Sequence, residues 1–157
     1  MRIVKSNVML DEEYKNILVK EFATNYQGVD KIVNPADIVK VMMDVFRISD
    51  MAEEYVYLLA MTVKCKPISF FEISHGTCDG SLVGIREIMI RALLCGAVNI
   101  VIIHNHPSGS PTPSREDMCI TERLKKASEI IGIHFCDHII VARDGFFSFR
   151  EAEMLEG

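Results

Sequence analysis

The pattern of hydrophobic and polar positions divides the chain into helices and strands of ordinary length. Apolar residues at helical spacing predict helices from Asn34-Pro35 to Ser49-Asp50, from Gly84 to Cys95, and from Arg115 to Ile131. Dense apolar runs predict strands at 55–63, 68–74, 98–103, 139–142 and 146–149. Helices that alternate with strands through short connections indicate an α/β domain in packed layers.

The first 30 residues carry a weaker pattern. Asp11 is a candidate helix cap, and Tyr14, Ile17, Leu18 and Phe22 keep helical spacing after it. We therefore predict an N-terminal helical appendage over residues 1–30 and a core domain over residues 31–157. The appendage carries no candidate chemistry, and it is also a candidate contact in a homo-oligomer.

Composition limits the functional classes. At 157 residues the chain is long enough for one domain with a hydrophobic core. The net charge of −5 and the dispersed basic residues disfavour a general nucleic-acid surface, although a local basic patch stays open. No apolar run approaches the length of a membrane span, and the five scattered cysteines predict reduced thiols. We expect a cytoplasmic protein.

The strongest candidate chemistry follows the predicted strand at 98–103. His104 and His106 are two residues apart, so on a strand their imidazoles point to the same side. Pro107 ends the strand, and a turn-rich loop leads to Ser114 at the start of a helix, which places Asp117 in its first turn. Two imidazoles and a carboxylate form a three-ligand Zn²⁺ set, which leaves a fourth position for water as in catalytic zinc sites.

Each part of this motif has a simpler interpretation. A His-x-His pair is often two ordinary polar residues, and Ser-x-x-Asp is often a helix capping box. The conjunction His-x-His-Pro, six residues, then Ser-x-x-Asp is more specific. It resembles the JAMM motif of JAB/MPN metallopeptidases, and the run HNHPSGSPTPSREDMCITERLKKA resembles their bacterial RadC-like branch.

This resemblance, over residues 32–150, implies a fold and an activity. The expected fold is α/β, with a mixed, mainly antiparallel β-sheet flanked by helices in the three-layer arrangement of JAB/MPN and cytidine-deaminase-like domains. The expected activity is zinc-dependent hydrolysis of a peptide or isopeptide bond in an unidentified peptide or protein substrate. A non-catalytic binding module in DNA repair or mobile-element biology is the alternative.

The resemblance also implies two catalytic residues. A glutamate at the start of the first core strand acts as general acid and base in JAMM enzymes, and Glu54 falls at that position, with Glu72 as the competing candidate. Ser114 is the expected hydrogen-bond donor to the oxyanion of the tetrahedral intermediate.

A second group of polar residues lies at 134–138. Strand alternation would place His134, Cys136 and His138 on one face, which leaves a second metal site open. The Asp137-His138 pair resembles a RadC-like feature outside the ligand set, so a hydrogen-bonding role beside the first site is favoured. The loop predicted at residues 75–83 is a candidate border of the substrate groove.

Overall fold

Seven strands form one mixed sheet in the order β2-β1-β4-β3-β5-β6-β7. The computed structural model describes residues 1–76 and 84–155. The elements in chain order are β1 (Arg2–Leu10), β2 (Asn16–Asn25), α1 (Pro35–Asp44), a short 3-10 helix (Ile48–Asp50), β3 (Glu54–Met61), β4 (Pro67–Gly76), α2 (Ile85–Leu94), β5 (Asn99–Asn105), α3 (Arg115–Ile131), β6 (His134–Ala142) and β7 (Gly145–Ser148).

The sheet is mostly antiparallel, with parallel pairing between β1 and β4 and between β5 and β6. Side chains of α1 such as Val41 pack with Val101 and Ile103 of β5 on one face. Side chains of α2 and α3, such as Ile88 and Leu124, form a second core on the other face. The predicted α/β fold, a mixed sheet between helices, is confirmed.

Two of the predicted helices begin where their capping residues indicate. The Asn34 side chain caps α1 through Asp37, with proline at the first helical position. Ser114 caps α3, which spans the predicted residues. By contrast, α1 ends at Asp44 rather than continuing to Ser49, because Arg47 takes a left-handed conformation with φ of 52° before the 3-10 helix.

The predicted N-terminal helix is wrong, because residues 2–25 form the β1–β2 hairpin. The Asp11 carboxylate accepts the backbone N–H groups of Glu13 and Lys15, so it stabilises a tight turn instead of capping a helix. The residues that gave helical spacing do not form a buried stripe, and Tyr14 is 83% exposed. Parallel pairing of Lys5 with Phe70 of β4 joins the hairpin to the sheet.

A β-bulge in β6 overturns the predicted alternation at residues 134–138. Ile100 of β5 pairs with Phe135, but the next residue, Val101, pairs with Asp137, so Cys136 is the extra residue. His134 and Cys136 consequently lie on the α1 side of the sheet, whereas His138 pairs with Ile102 on the α2/α3 side.

The predicted loop at 75–83 is only partly described. His75 and Gly76 are the last residues of β4, and residues 77–83 lie outside the described residues, including the part expected to border a substrate groove. Among the helices within residues 1–76 and 84–155, none is long and apolar enough to span a membrane.

Candidate metal centre

The end of β5 brings the predicted ligands together at the start of α3. Every residue of β5 is buried, and His104 and His106 emerge where the strand gives way to the proline-containing loop. The Ser114 cap starts α3 so that Asp117 in its first turn faces the two rings. The predicted strand, loop and helix therefore form one site.

The three ligand atoms converge on a single point. The Nε2 atoms of His104 and His106 are 3.0 Å apart. The Asp117 carboxylate lies 3.1 Å from the first through Oδ1 and 3.3 Å from the second through Oδ2. His104 and Asp117 are buried and His106 is half-buried. Within the described residues, these three side chains are the group of histidine, cysteine and acidic residues that could hold a metal ion.

The donor chemistry of this group fits zinc. Two imidazole nitrogens and one carboxylate oxygen are the ligands that Zn²⁺ takes in three-ligand sites. The outer nitrogen of His106, Nδ1, donates to the Ser110 carbonyl over 2.9 Å, so in the neutral ring Nε2 carries a lone pair toward the site.

The site is also electrostatically suited to a cation. Burial acts to raise the pKa of Asp117, but hydrogen bonds that His104 and His106 donate from Nε2 when their rings are protonated outweigh it and hold the pKa of the carboxyl far below its usual range. The hydrogen bond to Asp117 raises the pKa of His106 against the effect of burial, and the charge of Glu54 adds a smaller contribution. The lowered pKa of Asp117 favours its carboxylate form, which is the form that binds a cation.

Ser114 is bonded to the ligand carboxylate. Its hydroxyl donates to Asp117 Oδ2 over 2.7 Å and accepts the Asp117 backbone N–H over 3.1 Å. Its own backbone N–H donates to the same carboxylate oxygen over 2.7 Å. The capping box thus orients the Asp117 side chain, and the hydroxyl hydrogen is directed to Asp117.

The two candidate glutamates lie on opposite faces of the sheet. Val56 of β3 pairs with His104, so Glu54, two residues earlier, shares the face of His104 and lies opposite position 106 in the same register. Glu72 pairs with Tyr57, which belongs to the α1 side. The Glu72 carboxylate contacts Lys5 and His75 there. The structure therefore places Glu54 on the side of the metal centre and Glu72 away from it.

Asn105, the residue between the two histidines, has a role that the sequence did not reveal. Its side chain is buried and reaches across to β3, where Oδ1 accepts the Tyr55 N–H over 2.7 Å. Its Nδ2 donates to the Glu53 carbonyl over 3.0 Å. Asn105 thereby fixes the backbone on both sides of Glu54. The sequence signal that could have indicated this role is the presence of a polar residue in an otherwise apolar strand.

The second group of polar residues does not form a metal site. His138 contacts His104, while Asp137 accepts hydrogen bonds from the Ser148 hydroxyl over 2.6 Å and the Arg150 N–H over 3.0 Å. Both residues thus have the predicted hydrogen-bonding role, but only His138 adjoins the ligands. Burial raises the pKa of the Cys136 thiol to about 11, which disfavours the thiolate that metals bind.

Comparisons of the chain with a family model and with curated proteins agree on one family. A family model described as RadC-like JAB domain matches residues 32–154. A UPF0758 protein of Clostridium perfringens is 40% identical over 138 residues, which are 88% of this chain and 60% of the relative. UPF0758 proteins of Clostridioides difficile and Thermotoga maritima are 45% identical over 121 residues and 46% identical over 98 residues. These two matches cover 77% and 62% of this chain but only 51% and 44% of the relatives. Across all three relatives, the matched part of the chain therefore spans 60% of the relative's length or less.

Proposed function

This chain belongs to the family of RadC-like JAB domain proteins, and on that premise we propose that it is a zinc-dependent hydrolase of peptide or isopeptide bonds. The observation that carries the proposal is the convergence of His104, His106 and Asp117 within 4.8 Å of one another. Three ligands leave a coordination position open, as catalytic zinc sites require. The substrate is a peptide or protein.

The residues would hold zinc through the Nε2 atoms of the two histidines and the Asp117 carboxylate. A zinc ion bound there would supply Lewis-acid chemistry and make a water molecule acidic near neutral pH. Ser114 keeps Asp117 in place through the capping box. To act as an oxyanion donor as well, its hydroxyl would have to turn from Asp117 toward the substrate.

Glu54 is the proposed general acid and base. Two observations support this role: Glu54 shares the sheet face of His104, and its charge acts on His106. It would accept a proton from that water and return it to the leaving amine. Such acid–base help typically contributes about 10²–10⁴-fold to the rate.

The first experiment is the metal content of the purified protein after zinc is supplied and the excess removed. We expect about one zinc per chain, lost in the H104A/H106A double variant. His134→Ala is the matched control, because His134 lies on the α1 side of the sheet and should leave zinc content unchanged. A wild type without zinc would refute the hydrolase, and the binding module would then be the better hypothesis.

The second experiment tests catalysis with a panel of peptide and isopeptide substrates. Glu54→Gln should retain zinc and lose roughly 10²–10⁴-fold in rate. Glu72→Gln on the opposite face is the control and should retain both zinc and activity. Equal loss of activity in the two variants would contradict the role of Glu54.

A further inference from the structure

We propose that Thr121 and His138 are positioning residues that fix the tautomer of His104, leaving its Nε2 free of hydrogen and directed at the metal position. The inference rests on the proposed metal site and extends it to two residues outside the ligand set. Thr121 lies in α3, one turn after Asp117, and its hydroxyl is 2.6 Å from the Asp117 carbonyl oxygen. The same hydroxyl is 2.6 Å from His138 Nδ1, and His138 Nε2 is 2.8 Å from His104 Nδ1.

The direction of each hydrogen bond follows from counting hydrogens. A carbonyl oxygen has none to donate, so the contact with Asp117 requires the Thr121 hydroxyl hydrogen. A hydroxyl has only one hydrogen, so the contact between Thr121 and His138 requires a hydrogen on His138 Nδ1. The first two contacts therefore assign His138 as the Nδ1–H form.

The surroundings of His138 keep its ring neutral. The residue is 2% exposed, and the hydrogen-bond partners of its ring among the described residues are Thr121 and His104, neither of which is a carboxylate. A buried imidazole without an acidic partner remains uncharged. Its Nε2 therefore carries a lone pair and accepts a hydrogen from His104 Nδ1.

The hydrogen bond between His104 and His138 determines which nitrogen of His104 can bind a metal. His104 donates through Nδ1, so in its neutral form Nε2 has a lone pair, and this is the atom beside His106 and Asp117. Phe149 stacks on the His138 ring at 4.8 Å with 8° between the planes, which holds the ring in this orientation. Because the chain of hydrogen bonds starts at the Asp117 carbonyl, it ties one ligand to another.

The β6 bulge is what makes the contact with His104 available. Without the extra residue at Cys136, His138 would lie on the α1 side of the sheet with His134. Outer contacts of this type orient metal-binding histidines, and their loss typically weakens metal binding by about 10–100-fold.

The test compares Thr121→Val with Thr121→Ser. Valine keeps the shape but removes the hydroxyl, so His138 loses the acceptor that selects its Nδ1–H form. We expect zinc affinity, measured by competition with a chromophoric chelator, to fall about 10–100-fold in Thr121→Val, and to stay at the wild-type value in Thr121→Ser. Ser128→Ala is the matched control, because Ser128 is a buried hydroxyl of the same helix that has no hydrogen-bond partner among the described residues.

Nitrogen-15 NMR of the imidazole rings in the zinc-free protein gives a second readout that needs no variant. At a pH high enough for the rings to be neutral, we expect both His104 and His138 as Nδ1–H tautomers. A neutral ring of either residue with its hydrogen on Nε2 in the wild type, or unchanged zinc affinity in Thr121→Val, would overturn the relay. If the wild type takes up no zinc, the proposed function is wrong, and the tautomers still support or overturn the relay separately.

Discussion

Replacing Asn105 with alanine should destabilise the start of β3, where Glu54 lies. The buried side chain has two hydrogen bonds, to the Tyr55 N–H and the Glu53 carbonyl, and alanine can make neither. Both backbone groups belong to a chain segment about fifty positions away in sequence, so the side chain links two distant segments.

The size of the effect follows from these two contacts. A buried backbone group left without a partner typically costs about 1–3 kcal/mol, so the two together predict roughly 2–6 kcal/mol. Water that enters beside the exposed Glu53 reduces the cost, and we expect the free energy of unfolding to fall by about 3 kcal/mol. For a chain of this length that corresponds to a decrease in Tm of roughly 6–12 °C.

Asn99→Ala is the matched control on the same strand. Asn99 lies at the opposite end of β5, and its Nδ2 donates to the Thr62 carbonyl over 2.7 Å. It is 8% exposed, so water can partly replace it, and we expect a loss of about 1 kcal/mol. Its removal leaves the Tyr55 and Glu53 contacts intact.

The assay is urea unfolding of both variants together with amide hydrogen exchange. In the wild type and in Asn99→Ala, the Tyr55 amide should be protected because Asn105 accepts its hydrogen. In Asn105→Ala that amide should exchange much faster. Unchanged Tyr55 protection in Asn105→Ala, or a loss of stability no larger than in Asn99→Ala, would refute the reasoning.

Three further predictions concern the ligands and their cap. Asp117→Asn should abolish stable zinc binding, because it removes the charged ligand; unchanged zinc content by mass spectrometry would exclude Asp117 from the ligand set. Ser114→Ala should lower the free energy of unfolding by about 1 kcal/mol through the lost cap, and it should weaken zinc binding. Ser114→Thr should keep the wild-type stability, measured by urea unfolding, and the wild-type zinc affinity, measured by chelator competition. In the zinc-free protein, the raised pKa of His106 adds stability that is fully present below its unfolded pKa of about 6.5 and is lost as the pH rises through the folded pKa. Zinc binds the deprotonated ring, so zinc affinity should rise over the same pH window. Urea unfolding of the zinc-free protein and chelator competition across that window measure the two trends. If stability and zinc affinity changed in the same direction with pH, the assignment of His106 as a ligand would be contradicted.

The sequence by itself determined those features of the fold and of the site that depend on residues close together along the chain. The Ser114 cap and the apolar periodicity determined both ends of α3, because capping and amphipathic burial act within a few turns. His104, His106 and Asp117 lie within fourteen positions on a strand, loop and helix that each carry clear signals, so their convergence was predictable.

Only the tertiary structure decided what depends on pairing between distant segments. Residues 11–22 satisfy helical spacing, but pairing with β1 and a tight turn at Asp11 make them part of a hairpin, which pairing with β4 joins to the sheet. The bulge at Cys136 moves His138 to the face of His104, and strand register puts Glu54, but not Glu72, on that same face. Periodicity indicates that one side of a segment is buried, but hydrogen-bond partners far along the chain determine whether the segment is a strand, where its register shifts, and which side chains then meet.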